Sequence, residues 1–430
     1  ISTDPMPKLK LGEGIPEVAA LPTTKRTSQQ KKRLRQHFLS TDAPPKIKEP
    51  YMHLQKLEAE IKRLQTQSIS TMVMQDMPNP RKTHLLFRGK YDEKREEVTA
   101  GTPAFLPSMP NDAPMNRLGL ARWLVSKRHP LTARVAVNRE WQRLFGIGIV
   151  KTTEEFGAQG DWPSHPKLLD WLAVHFMNSG WDTKALLKLI VTSATYRQSS
   201  STTPELLVRD QANLLLARGP RHRLDAEIVR DNALAVSGLL VEKVGGPSVF
   251  PYHPKGLWLE LNNRPNYSRT YKQDKGEKLY RRSLYTYWKR TVPPPSMATF
   301  DAPEREFCLV RRSRTNTPLQ AFVMLHDPQF VEAARHLAER MMSASHNPDG
   351  CIEHGFRLAT SRLPNNKEKV VLHRLFRERL LFYRKDIKAA KAVLSVGESI
   401  RKTNLSEPEQ AAWTTVARAL LNLSETISKN

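Results

Sequence analysis

The sequence predicts a mainly α protein, a multi-helix assembly of αα-hairpins with one small β-sheet near residues 70–107. Three observations carry this. From Asn116 onward, apolar residues recur at spacings of three and four, the period of a helix face. Pro, Asp and Gly fall at the ends of those runs, where helix starts and stops require them. Only the block 70–107 breaks into short strand-type runs divided by Pro and Gly.

In chain order, residues 1–50 read as a basic, linker-like arm in which only TSQQKKRLRQHFLS forms a short helix. Leu54, Leu57, Ile61 and Leu64 share one face of an exposed helix or a short helical pair. THLLFRGKY and EEVTAG read as strands, so 51–115 is a helix plus a small β segment. A main helical domain with long Pro/Gly loops follows over 116–345. It opens with NRLGLARWLVS and with PLTARVAVNREWQRLFG, which Gly146 ends. In SHPKLLDWLAVHFMNSGWDTKALLKLIV, Pro166 starts one helix, Gly180 breaks it and Asp182 caps the next, giving an αα-hairpin. RLDAEIVRDNALAVSGLLVEKV is an amphipathic helix expected to run to Gly245-Gly246. GGPSVFPYHPKGLWLELNNRPNY is a long loop, and YRRSLYTYWKR is a β-like run that could join the sheet. A C-terminal helical subdomain occupies 346–430, with a polar joint around Gly397.

Lys and Arg number 68 against 43 Asp and Glu, a formal charge of +25. Such a surface attracts anionic polymers, acidic proteins or anionic lipid, or serves solubility alone. No stretch reaches the roughly 18 apolar residues of a membrane helix, so no transmembrane segment is expected. Nucleic acid is an unfavoured partner, because no recognition motif accompanies the charge. Two cysteines, Cys308 and Cys351, are too few for a disulfide framework or a four-thiolate zinc site; they either pair with each other or are both buried thiols, and their apolar or helix-like settings favour buried thiols. No Cys-x-x-Cys-His motif is present, which leaves no attachment point for c-type haem in this chain. The start at Ile1, without a signal peptide, reads as a fragment or a processed product.

The stretch FDAPEREFCLVRRSRTNTPLQAFVMLHD (300–327) concentrates the chemistry. Thr317, Pro318 and Gln320 form a capping box, and Asp327-Pro328 starts another helix. Arg305, Arg311, Arg312 and Arg314 approach that cap in non-helical chain. They are either braces to carboxylates or an anion pocket of forked guanidiniums. With Arg282, Trp288 and Asn316, residues Arg311, Arg312 and Arg314 are the candidate anion-binding set. Alternation along an extended chain would point Arg312 and Arg314 one way and Arg311 the other. Asp225, Glu227 and Asp231 could offer oxygen ligands to a metal, but an acidic bias at a helix start explains them as well. No Gly-x-Ser-x-Gly, His-Glu-x-x-His, P-loop or dinucleotide fingerprint occurs, and the catalytic residues are unknown.

Long segments of this chain resemble the C-terminal portion of planctomycete cytochrome c-like exported proteins, a domain of unknown function. They include TMVMQDMPNPRKTHLLFRGKY, NRLGLARWLVSKRHPLTARVAVNREWQRLFGIGIV, SGWDTKALLKLIVTSATYRQSS, GGPSVFPYHPKGLW and the tail AAWTTVARALLNLSET. The resemblance is dense over 50–430. His326 departs from it, standing in LHDP where Asn is expected. It implies export to the periplasm or cell surface, and a partner c-type cytochrome domain. It places c-type haem only in an N-terminal part outside this chain, and it brings no catalytic residues. Two functions follow as expectations. One is a noncatalytic module that docks or orients a haem-bearing domain in electron transfer. The other is a binding module or enzyme for an anionic, possibly sulfated, polysaccharide that uses the Arg/aromatic cluster.

Overall fold

The computed structural model describes residues 14–67, 71–79, 81–260, 269–402 and 404–429. The expected arm over 1–13 and the loop over 261–267 lie outside the described residues. The protein is mainly α with small two-stranded sheets, and it divides into two units, Ile1–Thr99 and Ala100–Asn430.

In the first unit, much of the expected arm is helical. α1 (Ile15–Ala20) precedes α2 (Ser28–His37), whose start is fixed by a reciprocal Thr27/Gln30 box. A π-turn over Phe38–Asp42 leads into α3 (Pro45–Gln67). The arm reads as linker because its residues are polar and Pro-rich, yet its caps suffice for short helices. β1 (Thr83–Leu86) and β2 (Lys94–Val98) pair antiparallel, with a register shift between His84 and Leu86. This is the sheet expected within 70–107.

The second unit opens with α4 (Arg117–Leu124), capped by Asn116, and α5 (Thr132–Phe145). His129 Nδ1 accepts from the Leu131 and Thr132 amides, so this histidine works as a helix entry. Gly146, at φ +84°, stops α5. α6 (Pro166–Asn178) and α7 (Thr183–Val191) form the expected hairpin, with Asp182 accepting from Ala185 N–H at 3.0 Å. These helices enclose one core around Val137, Trp141, Phe176, Leu186 and Ile190. Asn138, buried, closes two bonds with the Val150 backbone and fixes the loop that leaves α5.

α8 (Pro204–Arg209) and the two-residue β3 (His222–Arg223) lead to α9 (Ala226–Ser237). Left-handed Gly238 ends α9, well before the Gly245-Gly246 stop that the sequence suggested. α10 (Leu257–Glu260) follows. The YRRSLYTYWKR run forms no strand: it holds short 3-10 turns, one of them Ser283–Tyr285, and isolated bridges to Val241 and Val249. Its alternating pattern fits a strand, but Arg230 of α9 claims polar groups at its start. The buried guanidinium donates to Leu279 O, Arg281 O and Ser283 Oγ, and that geometry requires a curved chain.

α11 (Pro295–Thr299), α12 (Pro318–His326), α13 (Pro328–Ala344), α14 (Pro348–Thr360), α15 (Asn366–Lys385), α16 (Ile387–Leu394), α17 (Glu407–Leu421) and α18 (Ser424–Ile427) build the main core. β4 (Ser428–Lys429) returns to pair with β3. α13 and α17 lie at the centre. Ala333, Ala334 and Ala338 of α13 and Ala411, Ala412 and Ala417 of α17 are all fully buried, and such small residues let two packed helices approach. Leu337, Met341, Leu420 and Leu421 fill the remainder, each contributing about 1.5–3 kcal/mol. Phe376 stacks on Trp413 at 4.0 Å. The polar joint at Gly397 is tied to α13, where the buried Glu332 carboxylate accepts from Tyr252, Tyr280 and the Ser399 backbone and hydroxyl. No helix among the described residues is long and apolar enough to cross a membrane.

One of the two cysteines departs from expectation. Cys351 is buried, its thiol donates to Ser345 O, and burial pushes it up to about 11. Cys308 is an exposed free thiol. The apolar neighbours Phe307, Leu309 and Val310 made a buried thiol the expectation, but they too are exposed.

Candidate binding cleft

The loop after α11 is closed by a clasp. Asp301, at φ +60°, accepts from Arg223 at 2.5 Å and from the Thr315 amide at 2.8 Å, and Arg223 also donates to Thr315 O. The clasp turns the segment 303–315 back over the start of α9 and the end of α5. Between them opens a cleft of about 1340 Å³. Its lining combines Arg143, Arg305, Arg311, Arg312 and Arg314 with two carboxylates, Asp225 and Glu306, and with the apolar Leu144, Ile228, Phe307, Leu309 and Val310.

Arg312 and Arg314 both lie near Asp225, whereas Arg311 reaches Glu154. Arg312 is the braced member. It grips Glu227 bidentately, at 2.6 and 3.1 Å, with Asp225 3.7 Å away. Burial works against its charge, but the Glu227 carboxylate outweighs it and holds Arg312 above the ordinary range. Burial likewise opposes ionisation of Glu227, yet the guanidinium keeps that carboxyl below its ordinary value. Arg311 makes a single 3.1 Å contact with Glu154, both side chains about half exposed.

Arg314 differs from both. Among the described residues it forms no ion pair, and its Nη1 donates only to the Gly146 carbonyl, at 3.3 Å. Burial lowers its pKa, Asp225 restores part of the loss, and Arg223 and Arg312 add repulsion. It is therefore a cation whose field is poorly neutralised, which an incoming anion would relieve. Behind it, burial and Arg314 together press the His222 imidazole down to about 4, so it is neutral, and its Nδ1 is buried without a partner.

Of the other candidate residues, Asn316 is exposed just past the cleft lining. Arg282 and Trp288 do not line the cleft. Arg282 Nε lies 3.9 Å from Asp231, and Trp288 Nε1 donates to Glu304 O at 3.2 Å. Trp288 supports the cleft indirectly, because the Arg305 guanidinium lies 4.5 Å from its ring. Arg143 and the apolar lining are site elements that the sequence did not mark. Arg143 stands some 160 positions away on α5, and nothing local distinguishes it from a solvated helical arginine. Asp225, Glu227 and Asp231 are engaged by Arg312, by Arg282 and by the Ser283 amide. Among the described residues no group of three or more His, Cys, Asp and Glu could hold a metal ion.

No curated protein and no solved structure matches this chain. The model of the family described as a protein of unknown function (DUF1553) matches residues 116–376, which span α4 through most of α15 and the whole cleft, and the chain belongs to that family.

Proposed function

We propose that the unit of residues 100–430 is a noncatalytic docking module whose cleft receives an acidic, amphipathic segment of a partner protein. One observation carries this reading: five arginines, Arg314 among them, line the cleft together with exposed apolar side chains, of which Phe307 is 69% exposed. At about 1340 Å³ the cleft exceeds the ~300–1,000 Å³ of small-molecule pockets and suits an extended segment. Carboxylates of the segment meet Arg314 and Arg311, and its apolar side chains cover Phe307, Leu309 and Val310. A c-type cytochrome domain is the partner that the sequence resemblance implies, in an exported electron-transfer assembly where this chain supplies the dock.

A sulfated polysaccharide would engage the arginines but leave the apolar lining uncovered, which favours protein over sugar. The test uses fluorescence anisotropy with a labelled peptide of alternating glutamate and leucine. Arg314→Ala and Phe307→Ser should each weaken binding ~10-fold, the loss of one anchor. If Phe307→Ser binds as tightly as wild type while heparin oligosaccharide displaces the peptide, the polysaccharide reading replaces this one.

A further inference from the structure

α3 carries a seam that the docking cleft does not use. Leu54, Leu57 and Ile61 are each between 44 and 54% exposed along this 23-residue helix, and Leu64 continues the same 3-4-3 spacing. In heptad terms Leu54 and Ile61 occupy a positions, with Leu57 and Leu64 at d. Ile47 is the preceding a position, and Pro50 takes the d position between, so the full seam begins at Leu54. We propose that α3 pairs with α3 of a second copy of this chain as a short parallel, in-register coiled coil.

Residue choice and flanking charge both select this partner. Leucine at d with isoleucine among the a positions favours two parallel strands. In that arrangement each g residue faces the e residue five positions on in the partner helix. His53 then meets Glu58 and Glu60 meets Gln65, and no like charges oppose each other. An antiparallel pair centred between Leu57 and Ile61 would bring Glu58 against Glu58 and Glu60 against Glu60, four carboxylates around one point. The self-complementary face is thus acceptable in one orientation and repulsive in the other.

The test uses the full chain in a Cys308→Ser background, which removes the exposed native thiol. On mild oxidation, Leu57→Cys at the seam should yield disulfide-linked dimer at least ~10-fold faster than Lys56→Cys, whose Cβ faces away. Sedimentation velocity should show concentration-dependent dimer for the unmodified chain and monomer for Ile61→Glu. Three results would overturn the proposal. One is a monomer at every concentration. Another is cross-linking of a Leu54→Cys chain to a Leu64→Cys chain in preference to either with itself, which means antiparallel pairing. The last is an Ile61→Glu chain that stays monomeric like wild type but melts earlier, which means the face packs within its own chain.

Discussion

The Arg312–Glu227 pair should be the strongest single brace of the cleft, and a double-mutant cycle measures it. Two unit charges about 4 Å apart at an effective dielectric near 20 attract by about 4 kcal/mol. Partial desolvation and the ordering of a long side chain remove roughly half or more of that. With relative side-chain exposures of 34% and 20%, and two donor contacts at 2.6 and 3.1 Å, the net coupling should be about 1–2 kcal/mol. Glu227 is the second residue of α9, so after Arg312→Ala it still gains ~0.3–1 kcal/mol from the helix N-terminus, which limits the damage. The Arg311–Glu154 pair has one 3.1 Å contact and exposures of 53% and 48%, and should couple by ~0–0.5 kcal/mol. Urea unfolding of the wild type, both single alanine variants and the double variant gives each coupling energy directly. Equal couplings for the two pairs would refute the argument that burial and bidentate geometry, rather than the mere presence of charge, organise this loop.

Two further outcomes follow from buried groups. His222 titrates near 4 in the folded chain against 6.5 unfolded, so below pH 6.5 the unfolded state binds the extra proton. Stability should therefore fall between pH 6.5 and about 4 by ~1–2 kcal/mol, after discounting for the partial exposure of the ring, and the loss should level off below that. Urea midpoints across this range should decline less steeply for His222→Gln, and parallel slopes for the two proteins would count against the assignment. Gly397→Ala should cost at least ~3 kcal/mol, since the added Cβ would sit 2.3 Å from Glu332 Cδ at a φ of +97° and would displace a buried carboxylate with four hydrogen bonds. Gly89→Ala is the control: φ is +80° but nothing lies within 4 Å, so only the ~1 kcal/mol backbone strain applies. Similar melting temperatures for the two variants would show that Glu332 yields freely.

Much of the secondary structure was legible because its determinants are local. Asn116, Asp182 and Asp327 cap the helices that follow them, Gly146 ends α5 and Gln320 accepts from the Thr317 amide, each within a few residues of its partner. The 3–4 spacing of Leu168, Leu169, Leu172 and Phe176 likewise announces a buried face without knowledge of what covers it. Two of the failures share a long-range cause. The 280–290 run is curved because Arg230, some 50 residues earlier, binds the Leu279 and Arg281 carbonyls at its start, and Cys308 is exposed because the Asp301 clasp swings its segment outward. The arginines of 311–314 were visible as a group, but their roles were not. Glu227, Glu154 and Gly146 lie 85, 157 and 168 positions away, and only the path of the folded chain decides which carboxylate reaches which guanidinium. Side-chain periodicity encodes neighbours one helical turn apart. An ion pair across a cleft depends on where two distant backbones come to rest, and here that left Arg312 braced, Arg311 loosely paired and Arg314, among the described residues, without an ion pair.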